Sequence, residues 1–215
     1  MMTSKSLLSL CCAAFLAAAP ALAHADTLYY FTVGTGVGAA APPSALCGGT
    51  NCFGVVDLAQ NGSNVDVNVT LTPGIDFVST GNANSHETFA FNGSFLSSQI
   101  STPAGWTKGT NGTEAGFGTF DFYLECGANC TPPGNSTLNS LSFVVSNATV
   151  SQFGTSFGAD VIDKLVDGKP TGNIGTGPGT TTTTPEPSSL MLLGTGIVGA
   201  AGMLRRRMLS SVSRG

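Results

Sequence analysis

Hydrophobic and polar residues alternate most cleanly along Val65-Asp66-Val67-Asn68-Val69-Thr70-Leu71. The three valines and Leu71 point one way and Asp66, Asn68 and Thr70 the other, the period-two pattern of a half-buried strand. A second alternation runs from Phe117 to Leu124, where Phe120, Phe122 and Leu124 make the apolar face and are expected to point inward. Shorter apolar runs occupy Leu28 to Val33, Phe53 to Leu58, Ile75 to Val78, Phe89 to Phe91, Leu138 to Val145 and Ala148 to Phe153. Turn signals separate them: Asn61-Gly62 and Asn92-Gly93 for hairpins, then Pro73-Gly74 and Pro132-Pro133-Gly134. Gly34 to Thr50, rich in Gly, Ala and Pro, reads as loop. Phe157 to Val166 is open to two readings, a helix capped by Ser156 and Gly168 or a closing strand. Roughly seven to nine short strands with frequent turns predict an all-β domain, an antiparallel β-sandwich with a jelly-roll-like arrangement.

Two longer apolar runs lie outside this pattern. Lys5 followed by Leu7 to Ala19 and then Ala21-Leu22-Ala23-His24-Ala25 reads as a secretory signal over residues 1–25, cleaved between Ala25 and Asp26. At the other end, Leu190 to Leu204 is an apolar run of 15 residues, roughly 22 Å as a helix. With Ser188 and Ser189 it predicts a transmembrane helix at about 188–204. Arg205, Arg206 and Arg207 follow and act as a stop-transfer, which leaves residues 208–215 as a cytoplasmic tail.

Composition sharpens the domain between these ends. Charged residues are 9% of the chain, and Gly, Thr, Ser and Asn fill the polar positions that surface helices give to Glu, Lys and Arg. Residues 26–184 carry eleven carboxylates against Lys108, Lys164 and Lys169, a formal charge of −8. A domain this acidic has no basic stripe for a phosphate backbone, so nucleic acid is excluded as a partner class. The folded domain is placed at 26–168. Residues 169–184, with their glycines and run of threonines, are expected to form a flexible linker spanning on the order of 20 Å.

Four cysteines follow the signal, as Cys47-x4-Cys52 and Cys126-x3-Cys130. In an oxidising compartment the spacing predicts two local disulfides, 47–52 and 126–130, over a four-cysteine zinc site. No catalytic set stands out, and no catalytic residue is assigned. His86 is the one histidine after the signal and lies in a polar stretch. Glu87, Glu114, Glu125 and the aspartates leave glycosidase-like carboxylate pairs open. Asp160, Asp163 and Asp167 invite calcium but lack the spacing of a calcium loop, and are read as solvated carboxylates. No metal or cofactor is expected, calcium being the one candidate ion. Trp106 is read as a core or lid residue rather than a sugar-stacking platform.

Pro185-Glu186-Pro187, then the apolar run, then the arginine triplet, resembles the PEP-CTERM sorting signal of exported Gram-negative bacterial proteins. The resemblance covers residues 185–207. It implies an exosortase-type membrane protease as partner, transit through the inner membrane, and release to the cell surface or extracellular matrix in bacteria that make exopolysaccharide. Similar exported proteins often close their domain with a Phe-x-Ala-Asp-hydrophobic segment before a Thr-Gly-Asn turn. Phe157-Gly158-Ala159-Asp160-Val161 and Thr171-Gly172-Asn173 match that loose pattern, which tips Phe157 to Val166 toward a strand. Two functions are carried forward: a non-catalytic surface or matrix protein, and a carbohydrate-binding module or carbohydrate-active enzyme on the same scaffold.

Overall fold

The computed structural model describes residues 26–38, 40–80, 87–130 and 136–183, together with Gly196 and Gly199. The chain divides into two units, Asp26–Thr184 and a second made of Met1–Ala25 with Pro185–Gly215. The expected signal segment, His86, Pro132-Pro133-Gly134, Pro185-Glu186-Pro187, the apolar run apart from its two glycines, and Arg205 to Arg207 lie outside the described residues. Among those described, no helix is long and apolar enough to cross a membrane.

The first unit is all-β, a single antiparallel sheet curled into a half-barrel. Its strands are β1 (Thr27–Thr35), β2 (Gly54–Asn61), β3 (Asn64–Leu71), β4 (Ile75–Phe77), β5 (Phe89–Gly93), β6 (Thr107–Glu114), β7 (Gly118–Glu125), β8 (Ser140–Val145), β9 (Phe153–Asp163) and β10 (Thr171–Thr183). The hydrogen-bonded order is β6-β7-β5-β9-β10-β1-β2-β3-β8, with β4 on β9. One continuous ladder takes the place of the two facing sheets of the expected sandwich. Strand pairing, which local alternation does not encode, makes that difference.

The clean alternation of Val65 to Leu71 is β3, whose odd-numbered residues are all buried. Asn61-Gly62 lies in the tight hairpin that pairs β2 with β3, with Gly62 at a φ of 61°. Phe120, Phe122 and Leu124 are buried on β7 as the alternation predicts. The ambiguous segment is a strand as far as Asp163, where the 11-residue β9 ends, and a bend over Lys164 to Val166. Ala148 to Gln152 is not a strand; it follows a turn at Ser146-Asn147 and ends in a short 3-10 segment, Val150–Gln152, and β9 begins at Phe153.

Two strands carry no local signal. β6 reads Thr-Lys-Gly-Thr-Asn-Gly-Thr-Glu and its ladder is with β7 alone. β10 replaces the expected linker: Thr171 to Gly175 pairs with β9 on one side, and Asn173 to Thr176 and Thr181 to Thr183 pair with β1 on the other. Its glycines make that central place accessible. A Cβ on Gly172 would meet the backbone of Thr35 and Gly36, so a strand of larger residues would not seat there.

The interior of the curl is aromatic. Phe89 and Phe91 of β5 meet Phe143 of β8 across it at 6.1 and 5.4 Å between centroids, joining strands far apart in the sheet order. Phe91 also contacts Phe95, Phe122 and Phe153. Trp106 is 9% exposed and sits edge-on to Phe77, so it belongs to the core.

Candidate functional site

The other face of β7, β5, β9 and β10 is chemically different. Cross-strand register lines up Thr107 with Glu125, and Asp160 with Asn173 and then Thr35. Thr88 fills the gap between Glu125 and Asp160. Its N–H and hydroxyl donate to the Glu125 carboxylate at 3.2 and 3.1 Å, and its carbonyl accepts from the Asp160 N–H. The result is a transverse polar row over six strands. The neighbouring row runs Gly109, Tyr123, Ala90, Gly158, Gly175 and Val33; it is small at Ala90, Gly158 and Gly175, while the Tyr123 ring lies over Gly109.

Those small residues make room for a lid. β7 pairs with β5 only over Phe122 to Leu124, and beyond this the β6–β7 ribbon bends back over the face. A Cβ on Gly175 would collide with the Phe117 ring, and one on Gly158 would lie 2.8 Å from Glu114 Cγ. The Thr35 hydroxyl donates to the Ala115 carbonyl at 3.1 Å and ties the ribbon's tip to β1.

Under the lid lie carboxylates. Glu87, Glu114 and Asp160 are 2%, 1% and 0% exposed. The Thr80 N–H and hydroxyl donate to Asp160 Oδ2 at 3.0 and 2.5 Å. The Asn173 amide donates to Glu114 Oε2, while Glu114 Oε1 has no hydrogen-bond partner. Burial above all, with repulsion from Asp160 and then from Glu87 and Glu125, pushes the Glu114 carboxyl up to about 10 against the pull of the Asn173 bond. Glu114 is therefore a neutral acid at pH 7. Burial, followed by Glu87 and Glu125, also raises the Tyr123 phenol.

A neutral acid beside other carboxylates is the pairing used for acid–base work. Here it is sealed, because a polymeric substrate cannot touch side chains this far from solvent. Asp160 and Asp163 are buried rather than solvated, which corrects the sequence reading. They lie three apart on β9, hence on opposite faces, and Asp163 Oδ1 accepts from the Leu165 N–H. Asp167 is exposed. Among the described residues, no group of three or more His, Cys, Asp or Glu is arranged to hold a metal.

The cysteines are bonded as Cys47–Cys52 and Cys126–Cys130, with Cα separations of 6.4 and 5.9 Å. The first closes the loop before β2 and the second the loop after β7. The Thr88 hydroxyl lies 3.1 Å from Cys126 Sγ, so the second bridge borders the polar row.

The row as a whole was not legible in sequence, although one clue was. Asp160 and Asn173, the polar members of the two pattern fragments noted above, are cross-strand partners. Thr171-Gly172-Asn173 is the start of β10 and not a turn.

At the end of β10, residues 183–207 match the model of the PEP-CTERM protein-sorting motif. The chain carries a PEP-CTERM sorting motif. That motif implies an exported protein, sorted through the membrane and processed by an exosortase. It begins at Thr183, the last residue of β10, so the sheet runs directly into it. No curated protein and no solved structure matches the chain.

Proposed function

We propose that the half-barrel is a non-catalytic cargo domain, released by an exosortase-type protease to the cell surface or extracellular matrix, where it associates with exopolysaccharide. The PEP-CTERM motif at residues 183–207 carries this reading. The order of Pro185-Glu186-Pro187, apolar run and Arg205-Arg206-Arg207 supports cleavage near the prolines while the arginines hold the tail in the cytoplasm. A signal peptide cut between Ala25 and Asp26 fits a domain whose first strand starts at Thr27. Two disulfides suit an oxidising compartment. The non-catalytic reading is supported by the sealing of Glu114 and Asp160. Replacing Pro185 and Pro187 together with alanine should trap the full-length chain in the inner membrane; unchanged release would refute sorting through this motif.

A carbohydrate-binding module is the second reading. A groove of about 330 Å³ beside β3 and β8 is lined by Asp66, Asn68, Ser101, Thr102 and Ser142, short polar groups suited to sugar hydroxyls. A glycan array probed with the exported protein separates the two: retention of a defined glycan, lost in Asn68→Ala, establishes the module, and no retention leaves the cargo reading. Turnover of bacterial polysaccharides by the same protein would overturn the non-catalytic assignment.

A further inference from the structure

β10 is two segments rather than one. Its first part, Thr171 to Gly175, is clasped by β9 on one side, and Asn173 to Thr176 is paired with β1 on the other. Its last part, Thr181 to Thr183, pairs with Tyr29, Leu28 and Thr27 of β1, while the β9 pairing has already ended at Gly175. The ladder is broken between the two parts. Two residues of β1, from Tyr29 to Phe31, face an advance of five on β10, from Thr181 back to Thr176. The extra residues fall within Gly177-Pro178-Gly179-Thr180. Pro178 has no N–H to give to a ladder, and the flanking glycines adopt turn geometries at little steric cost. The inner segment is therefore built into the sheet, and the outer one is joined to it through a bulge and held from one side.

The outer segment ends two residues before Pro185. A protease binds its substrate as an extended strand and uses the backbone N–H and C=O groups on both sides of the scissile bond. On the N-terminal side of the motif, the groups of Thr181 to Thr183 that face β1 are committed to it, so a protease that takes the strand by both edges finds one edge occupied.

We infer that Thr181 to Thr183 is a detachable strap, which must lift from Thr27 to Tyr29 at the Gly177–Thr180 bulge before the sorting motif can enter the protease. The strap deepens the proposed processing reading and rests on it. Opening is local, because the inner segment of β10 keeps its β9 and β1 pairings and the aromatic interior is untouched. Re-zipping after cleavage covers the exposed edge of β1, so the released domain does not present an open strand at the new C-terminus. The new terminus and Asp26 then leave from the same end of one ladder, since Thr183 is opposite Thr27.

Leu28 and Thr182 are register partners, so Leu28→Cys with Thr182→Cys in the full-length chain staples the strap shut. In membranes from an exosortase-bearing host, the stapled chain should stay at precursor mass, and dithiothreitol should restore release. Release of the stapled chain at the parental rate would overturn the strap. Deleting residues 178–180, which evens the ladder without new cysteines, carries the same expectation of lost release, and normal release would count equally against it. The chain with Pro185→Ala and Pro187→Ala separates the two ideas: if it is also released normally, the processing reading fails, whereas if it is retained and the stapled chain is not, the strap alone fails.

Discussion

The two faces of β5, β7 and β9 are built from the same strands and hold together by opposite means. On the inner face, phenylalanines 89, 91, 122 and 157 fill space with rings, and their stability comes from apolar area and close packing. On the outer face, Gly158 and Gly175 leave space, and the β6–β7 ribbon fills it with Phe117, Phe120 and Glu114. The first face tolerates no loss of volume and the second no gain. The second face also buries carboxylates, which cost stability unless neutralised or hydrogen-bonded. Glu114 takes the first route, and Asp160 takes the second through Thr80. A sheet face can therefore bury several carboxylates together provided that one of them surrenders its charge.

The contrast breaks hardest at Phe91, which touches five other rings. Phe91→Ala should lose about 3–5 kcal/mol, read as a lower denaturant midpoint. Glu114→Gln should have the opposite sign. The folded carboxyl, at about 10, holds a proton that the unfolded chain releases above its ordinary 4.5. Wild-type stability is thus full below the unfolded value and falls as pH rises from there through the folded one. By pH 7 the loss is at most about 3 kcal/mol. Thermal melts from pH 4.5 to 9 should slope downward for the wild type and lie flatter for the glutamine variant; equal slopes would remove Glu114 from the account. Gly175→Val, which adds volume where the Phe117 ring rests, should cost about 1–3 kcal/mol by urea unfolding. Losing the bridge through Cys126→Ser with Cys130→Ser should cost about 2 kcal/mol, since the closed loop is short. Leu96→Ser marks the floor of the scale: the side chain is 69% exposed, and its melt should stay within about 0.5 kcal/mol of wild type.

Parts of this architecture are local properties of the sequence. Val65 to Leu71 and Phe117 to Leu124 announced strands and the faces they bury, because period-two alternation is a local property. The cysteine pairs closed as spaced, because bridges over four and five residues need no distant partner. β6 and β10 were missed because their Gly-, Thr- and Asn-rich residues hold strand geometry through their neighbours, not through propensity. The polar row was missed because its members come together from far along the chain; Thr88 and Glu125 are 37 residues apart.

What the chain settles by itself is its address and its material: a sorting motif legible from prolines, apolar run and arginines in order, and an all-β domain legible from alternation. Only the tertiary structure decided that the strands form one curled sheet, that the glycine-rich segment before the motif is a strand of that sheet, and that Glu114 is a neutral acid. The physical reason is that each of these depends on which strand lies beside which. A pairing of that kind fixes burial, charge and freedom of movement without leaving a periodic trace in the residues it joins.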